Sequence, residues 1–164
     1  LFMKQFLEQP TDSLVFLQYA PSVPEFLTLT GEASTGVLYN LISAPLNTSK
    51  WPRGQRLMAE YKERYGIESG AYGVGLYEEA NIYFDALRAV GDPTDHDAIG
   101  TAIGQTRKEV ASGILEFDQA THVATQGDDR SPTTFWQIWD GKRNMIAPKD
   151  YADADFQTPP WLKK

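Results

Sequence analysis

Apolar residues recur at spacings of three and four between Ala71 and Asp92, in the stretch AYGVGLYEEANIYFDALRAVGD, which predicts one amphipathic helix. Leu76, Ala80, Tyr83, Leu87 and Val90 form its stripe, and Tyr77 and Phe84 widen it. Glu78, Glu79, Asp85 and Arg88 fall mostly off that stripe, so the pattern buries the first set and solvates the second. Gly70, Gly73 and Gly75 loosen the start, and Gly91-Asp92-Pro93 closes the end, because glycine accepts the left-handed C-terminal conformation and proline cannot continue the ladder.

The other elements read in order. Leu1 to Leu7 has the pattern of an amphipathic helix without a capping residue or signal peptide before it, as a chain cut from a longer one would have. Leu14-Val15-Phe16-Leu17 is a short apolar run of the kind buried on both faces of a parallel sheet, followed by the loop Gln18-Tyr19-Ala20-Pro21-Ser22. Ser22 is a candidate cap for a helix carrying Phe26, Leu27 and Leu29 and ending at Gly31. Val37 to Ile42 predicts a strand, broken by Ser43-Ala44-Pro45. Pro52 opens a helix with Leu57, Met58, Tyr61 and Tyr65 inward, basic residues in its last turn and Gly66 past its end. A further helix begins near Thr94, where Thr94 and Asp97 sit at capping-box spacing ahead of Ile99 and Ile103.

Gly113 to Asp118 predicts a strand, and Gln119 to Pro132 a long polar loop. Thr134 to Trp139 and Lys142 to Ile146 flank Asp140-Gly141, whose tolerance of positive φ marks a two-residue hairpin turn. The tail from Pro148 reads as irregular surface chain pinned by aromatics.

Composition narrows the function classes. The 164 residues are one domain's worth of chain, 41% apolar and 12% aromatic. A net charge of -7 without a basic run argues against nucleic acid as a partner. No apolar run approaches the roughly 20 residues that span a bilayer. The absence of cysteine removes disulfides, thiolate metal sites and cysteine nucleophiles.

Catalytic signatures are thin. There is no glycine-rich phosphate loop, no GxSxG and no HExxH, and His96 and His122 both fall in polar surroundings near turns. The aspartates at 92, 95 and 97 and at 150, 153 and 155 lack the glycine and terminal glutamate of a calcium loop, so neither a metal nor a cofactor is expected. Glu116 and Asp118 would share a strand face, whereas acid-base work needs two carboxyls facing each other across a substrate, so the chain reads as a non-enzyme. Tyr19, Tyr72 and Tyr77 lie at loops or helix starts, where a phenol offers a flat apolar face and one hydrogen bond to a small ligand. Plain core packing is the competing reading for each.

Four motifs then carry a resemblance: Gly31-Glu32-Ala33-Ser34-Thr35-Gly36-Val37-Leu38, Tyr61-Lys62-Glu63-Arg64-Tyr65-Gly66, Tyr77 through Leu87, and Gly113-Ile114-Leu115-Glu116-Phe117-Asp118. In this order and at these separations they resemble the C-terminal half of type I periplasmic solute-binding proteins of the branched-chain amino acid and amide ABC uptake systems. The resemblance implies an α/β fold of parallel sheets flanked by helices, with a C-terminal antiparallel hairpin. It also implies a two-lobed protein roughly twice this length, closing on a small solute before docking to a membrane permease. A periplasmic location follows, with the signal peptide outside this chain.

By position, the resemblance makes 1–36 the end of lobe two, 37–43 a crossover, 44–112 part of lobe one, 113–118 the next crossover and 119–164 the hairpin and tail. It places Tyr19 where amino-acid-binding relatives often carry an acid, and Tyr77 at the cleft-facing start of a helix; Gln18, on the loop after the strand, and Tyr72, at a helix start, join them as ligand-binding candidates by position alone. A phenol at 19 cannot neutralise an ammonium as a carboxylate does, so either another residue does so or the solute is not a standard α-amino acid. The absent first half, or a second copy, would complete the fold. A sensor or receptor ligand-binding domain on the same fold is the alternative, and an amidase-like or glycosidase-like enzyme the outsider.

Overall fold

The computed structural model describes residues 1–162; Lys163 and Lys164, at the end of the expected segment 119–164, lie outside the described residues. The chain divides into two units, 1–42 with 133–162, and Ser43–Pro132.

The first unit is built on a three-stranded sheet, β1 (Leu38–Ile42), β4 (Thr133–Trp139) and β5 (Lys142–Ala147), with β4 central and both pairings antiparallel. The turn between β4 and β5 forms at Asp140-Gly141, where both residues take positive φ, 51° and 68°, as the two-residue hairpin requires. Alternation along β4 buries Thr134 and Ile138, and Gln137 is buried as well. The Gln137 amide donates to the Gln157 carbonyl at 2.7 Å and accepts from the Gln157 N–H at 2.9 Å, which satisfies a buried side chain and pins the irregular tail. Trp161 anchors the end of that tail, its indole N–H donating to the Ser13 carbonyl at 2.9 Å. Gly36, at φ 92°, lets the tail approach: a β-carbon there would stand 2.8 Å from that of Pro159.

The apolar run at Leu14 to Leu17 contributes a single parallel bridge, Phe16 to Leu38, with Val15 buried and Leu14 and Phe16 about half exposed. Two short helices, α1 (Phe2–Phe6) and α2 (Glu25–Thr30), complete the unit. Ser22 does not cap α2. It lies in a 3-10 turn, Ala20–Ser22, with its side chain buried, and Pro24 occupies the cap position.

The second unit packs α3 (Pro52–Tyr65), α4 (Gly73–Val90) and α5 (His96–Gly104) with a two-stranded sheet, β2 (Arg107–Val110) and β3 (Gly113–Glu116). α3 starts at its proline and stops where Gly66, at φ 72°, donates back to Lys62. α5 is capped by Asp95, which accepts from Ala98 N at 2.9 Å, rather than by Thr94. β3 pairs with β2 across the two-residue turn Ala111-Ser112, and so short a connection permits only an antiparallel partner. Gly113–Glu116 lies inside the second unit, and the chain returns to the first unit at 132/133.

The largest departure concerns α4. Its buried residues are Val74, Glu78, Ile82 and Ala86, an i, i+4 row, while Leu76, Tyr77, Tyr83 and Phe84 are about half exposed. The face expected inside is largely outside, and a glutamate expected in solvent is buried.

Candidate functional site

In the first unit, the candidate residues Gln18 and Tyr19 lie on the loop that follows the Phe16 bridge. Tyr19 has φ 53° and ψ -41°, a region that costs a bulky side chain of order 1 kcal/mol or more and persists only where surrounding structure imposes it. Arg143 of β5 braces the residues that follow Tyr19. Its Nε donates to the Pro21 carbonyl and its Nη2 to the Val23 carbonyl, each at 2.6 Å, so one planar fork holds two loop carbonyls on either side of Ser22. Ser22 N donates to the Tyr19 carbonyl at 2.8 Å and tightens the turn. Gln18 is exposed and Tyr19 half-buried.

On β1, Tyr39 is fully buried and stacked against Trp136 at 6.1 Å. Burial pushes its phenol pKa far above the usual range; nearby Arg143 opposes that shift and Asp153 adds to it, so Tyr39 is a neutral, apolar support.

In the second unit, Tyr72 and Tyr77 sit at and just after the start of α4, both a little over half exposed. Tyr77 lines an open groove of about 230 Å³ between α3 and α4, together with Tyr61, Tyr65, Arg64 and Glu60. Tyr61 and Tyr65 pack at 4.7 Å, and Gly73 lies so close to the Tyr61 ring that an added β-carbon would stand 2.8 Å from it. Tyr72 does not line this groove. The predicted residues thus fall as Gln18 and Tyr19 in one unit and Tyr72 and Tyr77 in the other.

Beside that groove lies a cluster the sequence reading missed. Glu78, 3% exposed, accepts from Arg53 Nε at 2.6 Å and Nη2 at 2.8 Å, and from the Ala111 N–H at 3.0 Å. Arg53 N donates to Glu109 at 3.1 Å. Its hydrogen bonds to Glu78 raise the Arg53 pKa further, so the guanidinium keeps its charge throughout. A cavity of about 90 Å³ borders Glu78, lined also by Ser43, Ile82, Ser112 and Leu115. The sequence signal for this burial was the i, i+4 row of Val74, Glu78, Ile82 and Ala86, which the stronger aromatic stripe outweighed. Arg143 carried no local signal at all.

The acids that could imitate a catalytic pair are occupied structurally. Glu116 is ion-paired with Arg130 at 2.9 Å and Arg107 at 3.6 Å. Asp118 accepts from the N–H groups of Ala120 and Thr121 and from the Thr121 hydroxyl, which holds its carboxyl below the usual range. His96 and His122 are exposed. What the arrangement offers is aromatic faces on fixed backbone, suited to holding a small molecule.

No family model and no curated protein matches the chain. Solved structures do. A Silicibacter pomeroyi protein assigned to a branched-chain amino acid ABC transporter is 30% identical, with a TM-score of 0.76, over 98% of this chain and 44% of its own. The leucine-binding protein of Thermotoga maritima is 24% identical, with a TM-score of 0.74, over 91% of this chain and 41% of its own. An extracellular ligand-binding receptor from Rhodopseudomonas palustris is 18% identical, with a TM-score of 0.69, over 90% and 44%. This chain therefore spans less than half the length of the proteins it matches. These neighbours are solute-binding proteins, and no helix among the described residues is long and apolar enough to cross a membrane. With the α/β fold and the ordered motifs, the chain is similar to type I periplasmic solute-binding proteins of branched-chain amino acid ABC transporters, over a share of their length consistent with a C-terminal half.

Proposed function

We propose that this chain belongs to the substrate-binding component of an ABC uptake transporter for a branched-chain amino acid, an amide or a related small solute. The observation that supports this reading is the end-to-end likeness, at 30% identity, to the Silicibacter pomeroyi protein. The protein is periplasmic, acts without catalysis or cofactor, and delivers its solute to a membrane permease. In the whole protein, closure around the solute excludes water. Tyr19 and Gln18 serve on the loop that Arg143 braces, and Tyr77 and Tyr72 at the start of α4.

Because Tyr19 brings no negative charge, a solute ammonium must find its counter-charge elsewhere, or the solute lacks one. A ligand-binding domain of a membrane sensor is the second reading, favoured by the likeness to the Rhodopseudomonas palustris receptor.

Native mass spectrometry of the full-length protein purified without refolding should reveal a co-purified small molecule. Calorimetry with leucine, isoleucine, valine and small aliphatic amides should then give one site per protein. Hydrolysis of a bound amide, or binding of none of these ligands, would defeat the reading.

A further inference from the structure

Three tyrosines and an arginine converge on the groove between α3 and α4. Gly73 makes room for the Tyr61 ring, and Tyr65 tilts against that ring at 4.7 Å. Tyr65 and Tyr77 keep 58% and 54% of their surface exposed. Flat phenol faces presented in this way suit offset or edge-to-face stacking of another ring, a geometry that a branched aliphatic chain cannot share. At about 230 Å³ the groove is smaller than the roughly 300 Å³ at which pockets for drug-sized ligands begin, which suits a solute of one ring.

Two charged side chains border the groove, Glu60 and Arg64. Glu60 lies 3.5 Å from Arg56, one turn earlier on α3, so its charge is answered. Arg64 stands over the Tyr65 ring at 5.6 Å and makes no ion pair among the described residues. The charge left to a ligand here is therefore positive. A cation stacked on these rings would meet Arg64, whereas a carboxylate would be paired by it.

The Gln18 and Tyr19 loop carries the same sign. From Gln18 to Pro24 there is no acidic residue. The guanidinium that braces the loop, Arg143, likewise has no ion-pair partner among the described residues. A solute ammonium at this loop would find a phenol, an amide and a cation, none of which neutralises it.

We infer that the solute is a small aromatic carboxylate without an ammonium group, its ring stacked in the Tyr61, Tyr65 and Tyr77 groove and its carboxylate paired with Arg64. This rests on the solute-binding reading and narrows its ligand class. Tyr61, Tyr65 and Arg64 then join Tyr77 as binding residues.

Calorimetry on the full-length protein tests the inference with leucine, phenylalanine and 3-phenylpropionate, which is phenylalanine without its ammonium group. The expected order of affinity is 3-phenylpropionate, then phenylalanine, then leucine, with about ten-fold or more between first and last, the order of one aromatic pair. Arg64→Gln should weaken 3-phenylpropionate by about ten-fold or more, the size of one hydrogen bond to a charged group, and weaken the neutral 3-phenylpropanamide much less. Tyr65→Leu should weaken both, and both side chains are exposed, so neither change threatens the fold. Tighter binding of phenylalanine than of 3-phenylpropionate would overturn the inference. So would equal losses of acid and amide in Arg64→Gln, or parent affinity for both in Tyr65→Leu. Binding of leucine without binding of 3-phenylpropionate would overturn it and leave the solute-binding reading standing, whereas binding of no probe and no aliphatic amide would end both.

Discussion

Arg53 and Glu78 form a bidentate ion pair that joins the first turn of α3 to α4, with Glu78 also accepting from the Ala111 N–H in the β2 to β3 turn. One carboxylate therefore holds three elements together. Its side chain is 5% exposed, so bulk solvent screens it little, whereas Arg53 keeps 30% exposure. Removing either partner leaves the other charge without compensation.

Glu78→Ala and Arg53→Ala are each expected to destabilise the protein by about 3 kcal/mol, the low end for breaking a buried pair because Arg53 retains some solvent. The double variant Arg53→Met with Glu78→Leu should lose clearly less than the sum, since it buries no unpaired charge. Urea denaturation with a double-mutant cycle measures both effects. Additive losses would mean that the pair is not coupled.

Gly54→Ala is expected to destabilise, although alanine is the better helix former by about 1 kcal/mol in an exposed helix interior. A β-carbon at position 54 would collide with the backbone carbonyls of Ala111 and Leu46, which have no rotamer to yield. Overpacking of this kind costs about 1 to 3 kcal/mol. A gain in thermal stability would show that the backbone there moves freely.

Acid should weaken the second unit through Asp85, Asp92 and Asp118. Hydrogen bonds from Lys108, Thr94 and Thr121 respectively hold their carboxyls below the ordinary range. Depressed folded values mean stability that is complete above the unfolded value of about 3.9 and lost as pH falls through the folded ones. All three are exposed, so the effect should be modest and reduced by salt. Urea midpoints measured across this acid range should fall less steeply for Asp118→Ala than for the parent, and identical slopes would count against the assignment.

Solute binding should depend on Tyr19 and Tyr77. In the full-length protein, Tyr19→Ala and Tyr77→Ala are each expected to weaken binding by about 1 to 3 kcal/mol, through lost stacking and an unpaired polar group. Arg143→Ala should weaken it too, by releasing the loop that carries Tyr19, while leaving Tyr77 unaffected. Parent affinity in all three variants by calorimetry would remove these residues from the site.

Residues 1–164 alone should bind the same solute poorly, because a hinge-type site gains affinity from closure of two complete lobes. Expressed beside the full-length protein, they should show weak binding and a mass above that of a monomer. A monomer with full-length affinity would mean that the cleft is complete within this chain.

Local chemistry decided much of this fold. Asp140-Gly141 specified the hairpin because few residue pairs accept positive φ twice, and Pro52 and Gly66 set the ends of α3 because one lacks a donor and the other tolerates the left-handed turn. The extent of α4 was equally legible from its periodicity and terminal glycine. Which face of α4 is buried was not, since a helix with two apolar stripes is compatible with either until a partner selects one. That choice fell to Arg53, 25 residues before Glu78. Likewise, the Tyr19 loop could be placed by the sequence but not fixed by it: its anchor, Arg143, lies 122 residues beyond Pro21, and only tertiary folding brings a donor that distant to the carbonyls it holds.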